Sequence, residues 1–377
     1  MKKLALLYLL FLSFSLTAQN KLVEIIRKSD DSIVDVIMND AAKYELQILY
    51  TSVKRNASGE PQFKEMSFRL QDSAYFYPAS TVKLPLAILA LEKINEMDSE
   101  LSRDTPYSIE GDSISHTIAD DIRQIFAVSD NDAYNRIFEF LGQDYIQSKL
   151  EEKGLEPVRI SHRFAGDRSR DLVTQKISFV QEDGTFELPV TTNTEAKPLD
   201  MESIKKGKGY MANDSLHKGV FDFSLKNYFP VRTQQELMKR LFFPEVYQES
   251  ERFDLKKEDV AFLKGKMATY PFKEGYDRTE FYDSYGKFFM FGDSKEPINS
   301  AVKIYNKVGY AYGTLTDNAY VYDPANGVEF FLTATLLVNE NGIFNDGEYE
   351  YDQKGIPFLA EMGRQIYEYE LKMKSQQ

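Results

Sequence analysis

The chain has 377 residues, 42% hydrophobic and 28% charged, enough to bury a large core in one big domain or two lobes. A formal net charge of -13 with no basic block argues against nucleic acid or an anionic membrane surface as the main partner, because phosphate recognition needs clustered cations. Cysteine is absent and the three histidines, His116, His162 and His217, lie far apart, so disulfides and thiol nucleophiles are excluded, and neither a metal site, a Ser-His-Asp triad nor a cofactor is expected.

Residues 1–18, MKKLALLYLLFLSFSLTA, join a Lys2-Lys3 start to an apolar run from Leu4 to Leu16 and a small residue, Ala18, at the cleavage point. This reads as a secretory signal rather than a membrane span, and predicts a protein exported to the periplasm or the medium. After it, apolar residues at Val23, Ile26, Ile33, Val36 and Ile37 predict one helix over 21–43, and 44–55 and 62–70 read as strands around the turn NASGEP.

The stretch YFYPASTVKLPLAILALEKINE, 75–96, passes from aromatics and proline through Ser80 and Lys83 into an apolar helix. Lysine at the mouth of a buried helix is costly unless a partner or a task explains it. Helices follow over DDIRQIFAVSD, NDAYNRIFEFLG and a segment ending at Gly154 and Pro157, making 80–165 mainly helical. Residues 166–225 are turn-rich, with a hairpin at Glu182-Asp183-Gly184, and form an inserted subdomain or a long ordered loop. Helical patterning returns in TQQELMKRLFFPEVYQ and KKEDVAFLKGKMA; three strands (301–313, 315–323, 327–339) and a helix over 357–374 complete the chain.

Strands from both ends of the chain imply one sheet-containing lobe, 19–75 with 256–377, and a second lobe, 76–255, inserted between them and carrying the 166–225 segment. A cleft between lobes is the natural place for a site. Positions i and i+3 share a helix face, so Ser80 sets its hydroxyl beside the Lys83 amine, whose pKa a desolvated helix start lowers until it can accept the serine proton. Five S-x-x-K matches exist, at Ser80, Ser203, Ser215, Ser284 and Ser300. Only the first sits between a turn and a long apolar helix; the other four read as surface pairs at chance spacing. Ser129-Asp130-Asn131 is the only S-D-N; as plain structure it is a helix cap, and beside an S-x-x-K it supplies a hydroxyl to relay a proton and an amide to hold a substrate carbonyl. Lys307-Val308-Gly309 lies in a strand pattern, where Lys307 attracts a carboxylate, Gly309 permits close approach, and the Tyr310 amide pairs with that of Ser80 as an oxyanion hole. As plain structure, Lys307 is an exposed edge-strand lysine.

These motifs, in this order, resemble the penicillin-recognising serine hydrolases, most closely the class A β-lactamases. The likeness runs through YPASTVKLPLA, VSDNDAYNRIFEFLG, RTQQELMKRLFF and NKVGYAYGTLTDNAYVY. It implies an α/β (α+β) fold of the β-lactamase/transpeptidase type, with a five-stranded antiparallel sheet flanked by the terminal helices beside an all-helical lobe. It also implies roles: Ser80 as acylated nucleophile, Lys83 as base, Ser129 as proton donor to the leaving nitrogen, Asn131 as substrate contact, Lys307 as carboxylate anchor and Tyr310 as backbone oxyanion donor. The partner so implied is a small-molecule β-lactam or a D-alanyl-type peptide, taken up by a monomer without metal.

Two departures bear on activity. Val308 stands where the family has a hydroxyl that helps hold the substrate carboxylate. The family's deacylating glutamate, about 35 residues past S-D-N, falls near Phe164 or Ala165, with Asp167 and Glu156 as the closest carboxylates. A β-lactamase is therefore the first expectation, a penicillin-binding-protein-like D-alanyl peptidase or slowly deacylating relative the second, and a non-catalytic binding protein the third.

Overall fold

The structure is a computed structural model that describes residues 19–97, 100–166, 168–182 and 184–376. The predicted signal segment and Asp167 lie outside the described residues. The helix expected over 21–43 is in fact two: a helical segment over 19–26 (α1) and Ser32–Asn39 (α2). The break has a local cause. Ser29 Oγ accepts from the Asp31 amide, and Asp31 then caps the new helix by accepting from Ile33 N at 2.9 Å, which competes with continuation of α1.

The remaining helices are α3 (Lys83–Glu96), α4 (Ile118–Val128), α5 (Asn131–Leu141), α6 (Gln143–Glu152), α7 (Val231–Phe242), α8 (Lys257–Met267) and a C-terminal α9 (Ile356–Lys374). Pro244 stops α7 well short of the predicted 248. Strands are β1 (Gln47–Arg55), β2 (Pro61–Phe68), β3 (Tyr107–Ile109), β4 (Ile177–Gln181), β5 (Gly184–Leu188), β6 (Lys205–Lys206), β7 (Gly209–Ala212), β8 (Ser215–Lys218), β9 (Phe221–Asp222), β10 (Lys303–Ala311), β11 (Thr314–Asp323), β12 (Val328–Leu337) and β13 (Ile343–Phe344).

The expected five-stranded antiparallel sheet is present, in the order β10-β11-β12-β1-β2, with β10 at one edge. Its central strands are buried along almost their whole length, because both faces are covered. On one face, Leu22, Ile25, Val34 and Ile37 from the N-terminal helices join Phe358, Leu359, Met362 and Ile366 of α9 over the sheet residues Ile48, Phe330 and Leu332. On the other lies α7, whose Gln235 is tied to the sheet by bonds to Leu49 O (2.9 Å) and from Thr51 Oγ1 (2.5 Å).

Helix α3 is the centre of the helical region: Leu84 through Leu91 are all buried, and α4, α5, α6 and α8 pack around it. The turn-rich segment resolves into short strands. β4 and β5 form the predicted hairpin and pair with β3, while the β7–β8 hairpin pairs with β13, a strand no periodicity announced.

Candidate active site

The chain reaches α3 through Tyr77, Pro78 and Ala79, the last in the left-handed region at φ +46, and then through a 3-10 turn over Ala79–Val82. A 3-10 turn repeats every three residues, so Ser80 and Lys83 stack on one side. Pro85 fits because the first turn of a helix has no intrahelical use for its amide. Ser80 is half-buried, lines a cavity, and its Oγ makes no hydrogen bond among the described residues.

Lys83 is fully buried, and among the described residues its amine meets only neutral acceptors: the Ser129 carbonyl, Asn131 Oδ1 at 2.7 Å and, more distantly, Ser129 Oγ at 3.4 Å. Burial without a carboxylate partner drives its pKa well below the usual lysine range; the nearby Lys307 charge adds to the effect, and Asp130 and Asp132 oppose it. A neutral amine at working pH is what a proton acceptor requires.

The S-D-N segment is both a cap and part of the site. Ser129 ends α4 in a left-handed conformation at φ +58, Asp130 caps α5 by accepting from Ala133 N at 2.7 Å, and the sharp corner turns Ser129 and Asn131 toward Lys83. Strand β10 completes the constellation. Lys307, on the sheet edge, is nonetheless buried, so the exposed edge-lysine reading does not hold; it donates to Ser129 Oγ at 2.9 Å and Val308 O at 2.8 Å. Burial pushes its pKa down to about 7, against the opposing charge of Asp317 and with help from Lys287. Gly309 sits hard against the nucleophile turn: a Cβ there would lie 2.6 Å from Pro78 O and 2.7 Å from Ser80 N. Only glycine lets the strand approach so closely, which brings the backbone of Tyr310 beside that of Ser80.

The facing wall is the loop 162–166. Asn135 of α5 grips it by both ends of its amide, donating to Phe164 O and accepting from Phe164 N, each at 2.8 Å. Behind it Arg163 and Glu139 form a buried two-bond ion pair at 2.6 and 2.9 Å. His162 is a structural histidine: it is buried, it accepts from the Asn227 amide at 3.2 Å, and burial pushes its pKa down to about 4. Phe164 is one of the two positions near which the family's glutamate is expected, its ring 5.0 Å from Lys83 Nζ; Ala165 is the other, and both line the Ser80 cavity. Glu156 is exposed and lines no cavity near Ser80.

Two of the discounted S-x-x-K lysines are not on the surface. Lys206 is buried in an ion pair with Glu45. Lys287 is buried beneath the sheet edge, donating to Met267 O and Asn306 Oδ1, both at 2.7 Å, while Asn306 donates to Asp317 Oδ1 at 2.8 Å. Its partner Ser284 bonds Ser294 O instead, so the pair has no nucleophile. Sequence reasoning also missed Tyr312, Asn345 and Tyr349, which line the Ser80 cavity; their only signal is a cluster of tyrosines among turn residues.

Comparison with known proteins follows the same lines. A family model described as the β-lactamase enzyme family matches residues 30–192, a span holding Ser80, Lys83 and Ser129 but not Lys307. No curated protein sequence matches the chain. Solved structures share the fold at low identity. A β-lactamase from Xanthomonas campestris pv. campestris is 14% identical, with a TM-score of 0.51 over 93% of this chain and 97% of its own. A β-lactamase from Burkholderia vietnamiensis is 14% identical, with a TM-score of 0.52 over 93% and 96%. PBP-A is 13% identical, with a TM-score of 0.51 over 94% and 95%.

Proposed function

We propose, for a chain whose residues 30–192 match the β-lactamase enzyme family, that it is an exported serine hydrolase of the penicillin-binding type, which forms an acyl-Ser80 intermediate quickly and releases it slowly. Ser80 Oγ attacks the carbonyl carbon of an amide or ester and its proton passes to the Lys83 amine, whose burial favours the form able to accept it. The oxyanion is met by the backbone amides of Ser80 and Tyr310. Ser129, bonded to Lys307 and within 3.4 Å of Lys83, gives the leaving atom its proton.

The observation that carries the slow second step is Phe164. A class A β-lactamase uses a glutamate to activate the deacylating water, and among the described residues that line the Ser80 cavity there is no carboxylate. Intact-mass measurement of the mature protein after benzylpenicillin tests this reading. A lasting adduct on Ser80 supports it. Rapid return to the free mass overturns it in favour of a β-lactamase, with Asp167→Ala then asking whether that residue is the base. No adduct with benzylpenicillin or with an activated phenylacetyl ester would leave the binding-protein reading.

A further inference from the structure

Two cavities lie at the candidate site, one lined by Ser80 and the other by its proposed proton donor, Ser129, and they are unequal. One, of about 330 Å³, is lined by Ser80, Asn131 and five aromatic residues, Tyr77, Phe164, Tyr310, Tyr312 and Tyr349, and no charged residue among those described faces it. The other, of about 10 Å³, holds Ser129 and Lys307 behind Phe126, Tyr285, Val308 and Tyr310, and has room for a single water at most.

Acyl transfer divides the substrate at the carbonyl carbon. The leaving group must sit beside its proton donor, Ser129, so the acyl group points the other way, into the aromatic cavity. On the Ser129 side, where a β-lactam would place its carboxylate, there is almost no volume and no Val308 hydroxyl, and the Lys307 ammonium is already bonded to Ser129 Oγ and Val308 O. Tyr310 is held in this position between Phe288 (centroids 6.0 Å) and Tyr351 (5.3 Å). The cavity wall is equally fixed. Tyr312 lies in the left-handed region at φ +53 in a two-residue hairpin turn, a position that ordinarily takes Asn or Gly, with its ring edge-on to Tyr77 at 5.1 Å; Tyr349 OH accepts from Asn345 N at 2.7 Å.

We infer, on the reading that Ser80 is the nucleophile, that the substrate is an ester or amide with an aromatic acyl group and a leaving group that carries no carboxylate, not a carboxylate-bearing β-lactam. In the probe reaction the Ser80 Oγ–acyl carbon bond forms, the acyl carbon–oxygen bond breaks, p-nitrophenolate leaves with the electron pair, and the serine proton goes to Lys83. The mature protein is followed by time-resolved intact mass with p-nitrophenyl phenylacetate, p-nitrophenyl acetate and benzylpenicillin, each rate being normalised to reaction with hydroxide. The phenylacetyl ester is expected to acylate Ser80 about tenfold or more faster than the acetyl ester. Tyr312→Ala and Tyr349→Ala are each expected to erase most of that preference, and Tyr285→Ala to raise benzylpenicillin acylation about tenfold relative to the ester. Equal normalised ester rates, or benzylpenicillin matching the phenylacetyl ester in the unaltered protein, overturn this inference while leaving the acyl-serine reading intact. Failure of every probe to modify Ser80 overturns both.

Discussion

The two walls that face Ser80 carry opposite chemistry. On one, α3, the 129–131 corner and β10 bring two buried amines, a hydroxyl and an amide into one bonded set. On the other, the loop 162–166 is held just as firmly, by Asn135 and by Arg163–Glu139, yet presents Phe164 and Ala165 to the cavity. On the proposed reading, the contrast makes forming and releasing an acyl-enzyme separable tasks in this molecule. The first needs a neutral amine, obtained by burying lysine away from carboxylates; the second needs a carboxylate, and the described part of the facing wall offers none.

The contrast breaks most sharply at Ser80. Ser80→Ala is expected to abolish adducts with every acylating probe, a loss beyond about 10³-fold, while circular dichroism reports an unchanged fold. Lys83→Met should slow acylation by about 10³-fold, since it removes the general base; stopped-flow release of p-nitrophenolate measures it, and a rate within tenfold of the parent would shift the base to another group. Giving the second wall what it lacks sharpens the comparison: Phe164→Glu is expected to shorten the adduct half-life by about 10²-fold, and an unchanged half-life would show that release is limited elsewhere.

The pH dependence separates the two amines. Burial puts the Lys307 pKa at about 7, so this group is a cation below pH 7 and neutral above it. Because the space beside Lys307 does not admit a carboxylate, the acylation rate of benzylpenicillin relative to a neutral ester should change less than about threefold between pH 6 and 8; a fall of about tenfold, lost in Lys307→Met, would show a carboxylate anchored there. The smallest effect is expected from Asn135→Ala, which removes both bonds to the Phe164 backbone and should lower unfolding free energy by about 1–3 kcal/mol in urea titrations.

Much of the nucleophilic wall could be read from residue order, because its spacings are local. Ser80 and Lys83 are three apart in a turn of period three, Ser129 to Asn131 span a single helix-to-helix corner, and Lys307 with Gly309 lies within one strand, Lys303–Ala311. The split between α1 and α2 was hidden, since a serine and an aspartate that end one helix and start another look like any polar face. Lys287 was misjudged as a surface residue because its acceptors, Met267 O and Asn306, belong to segments that meet only in the fold.

By itself the sequence determined most of the longer helices, the five strand segments of the main sheet and the identity of the polar groups around Ser80, because periodicity, capping and turn chemistry act between near neighbours. That the described part of one wall carries no carboxylate, which lysines lose their water, and how much space lies beside Ser80 and beside Ser129 were decided only by tertiary structure. Phe164 reaches Lys83 through Asn135, and Tyr349 meets Ser80 across most of the chain; burial and cavity shape are properties of segments brought together, which no local pattern encodes.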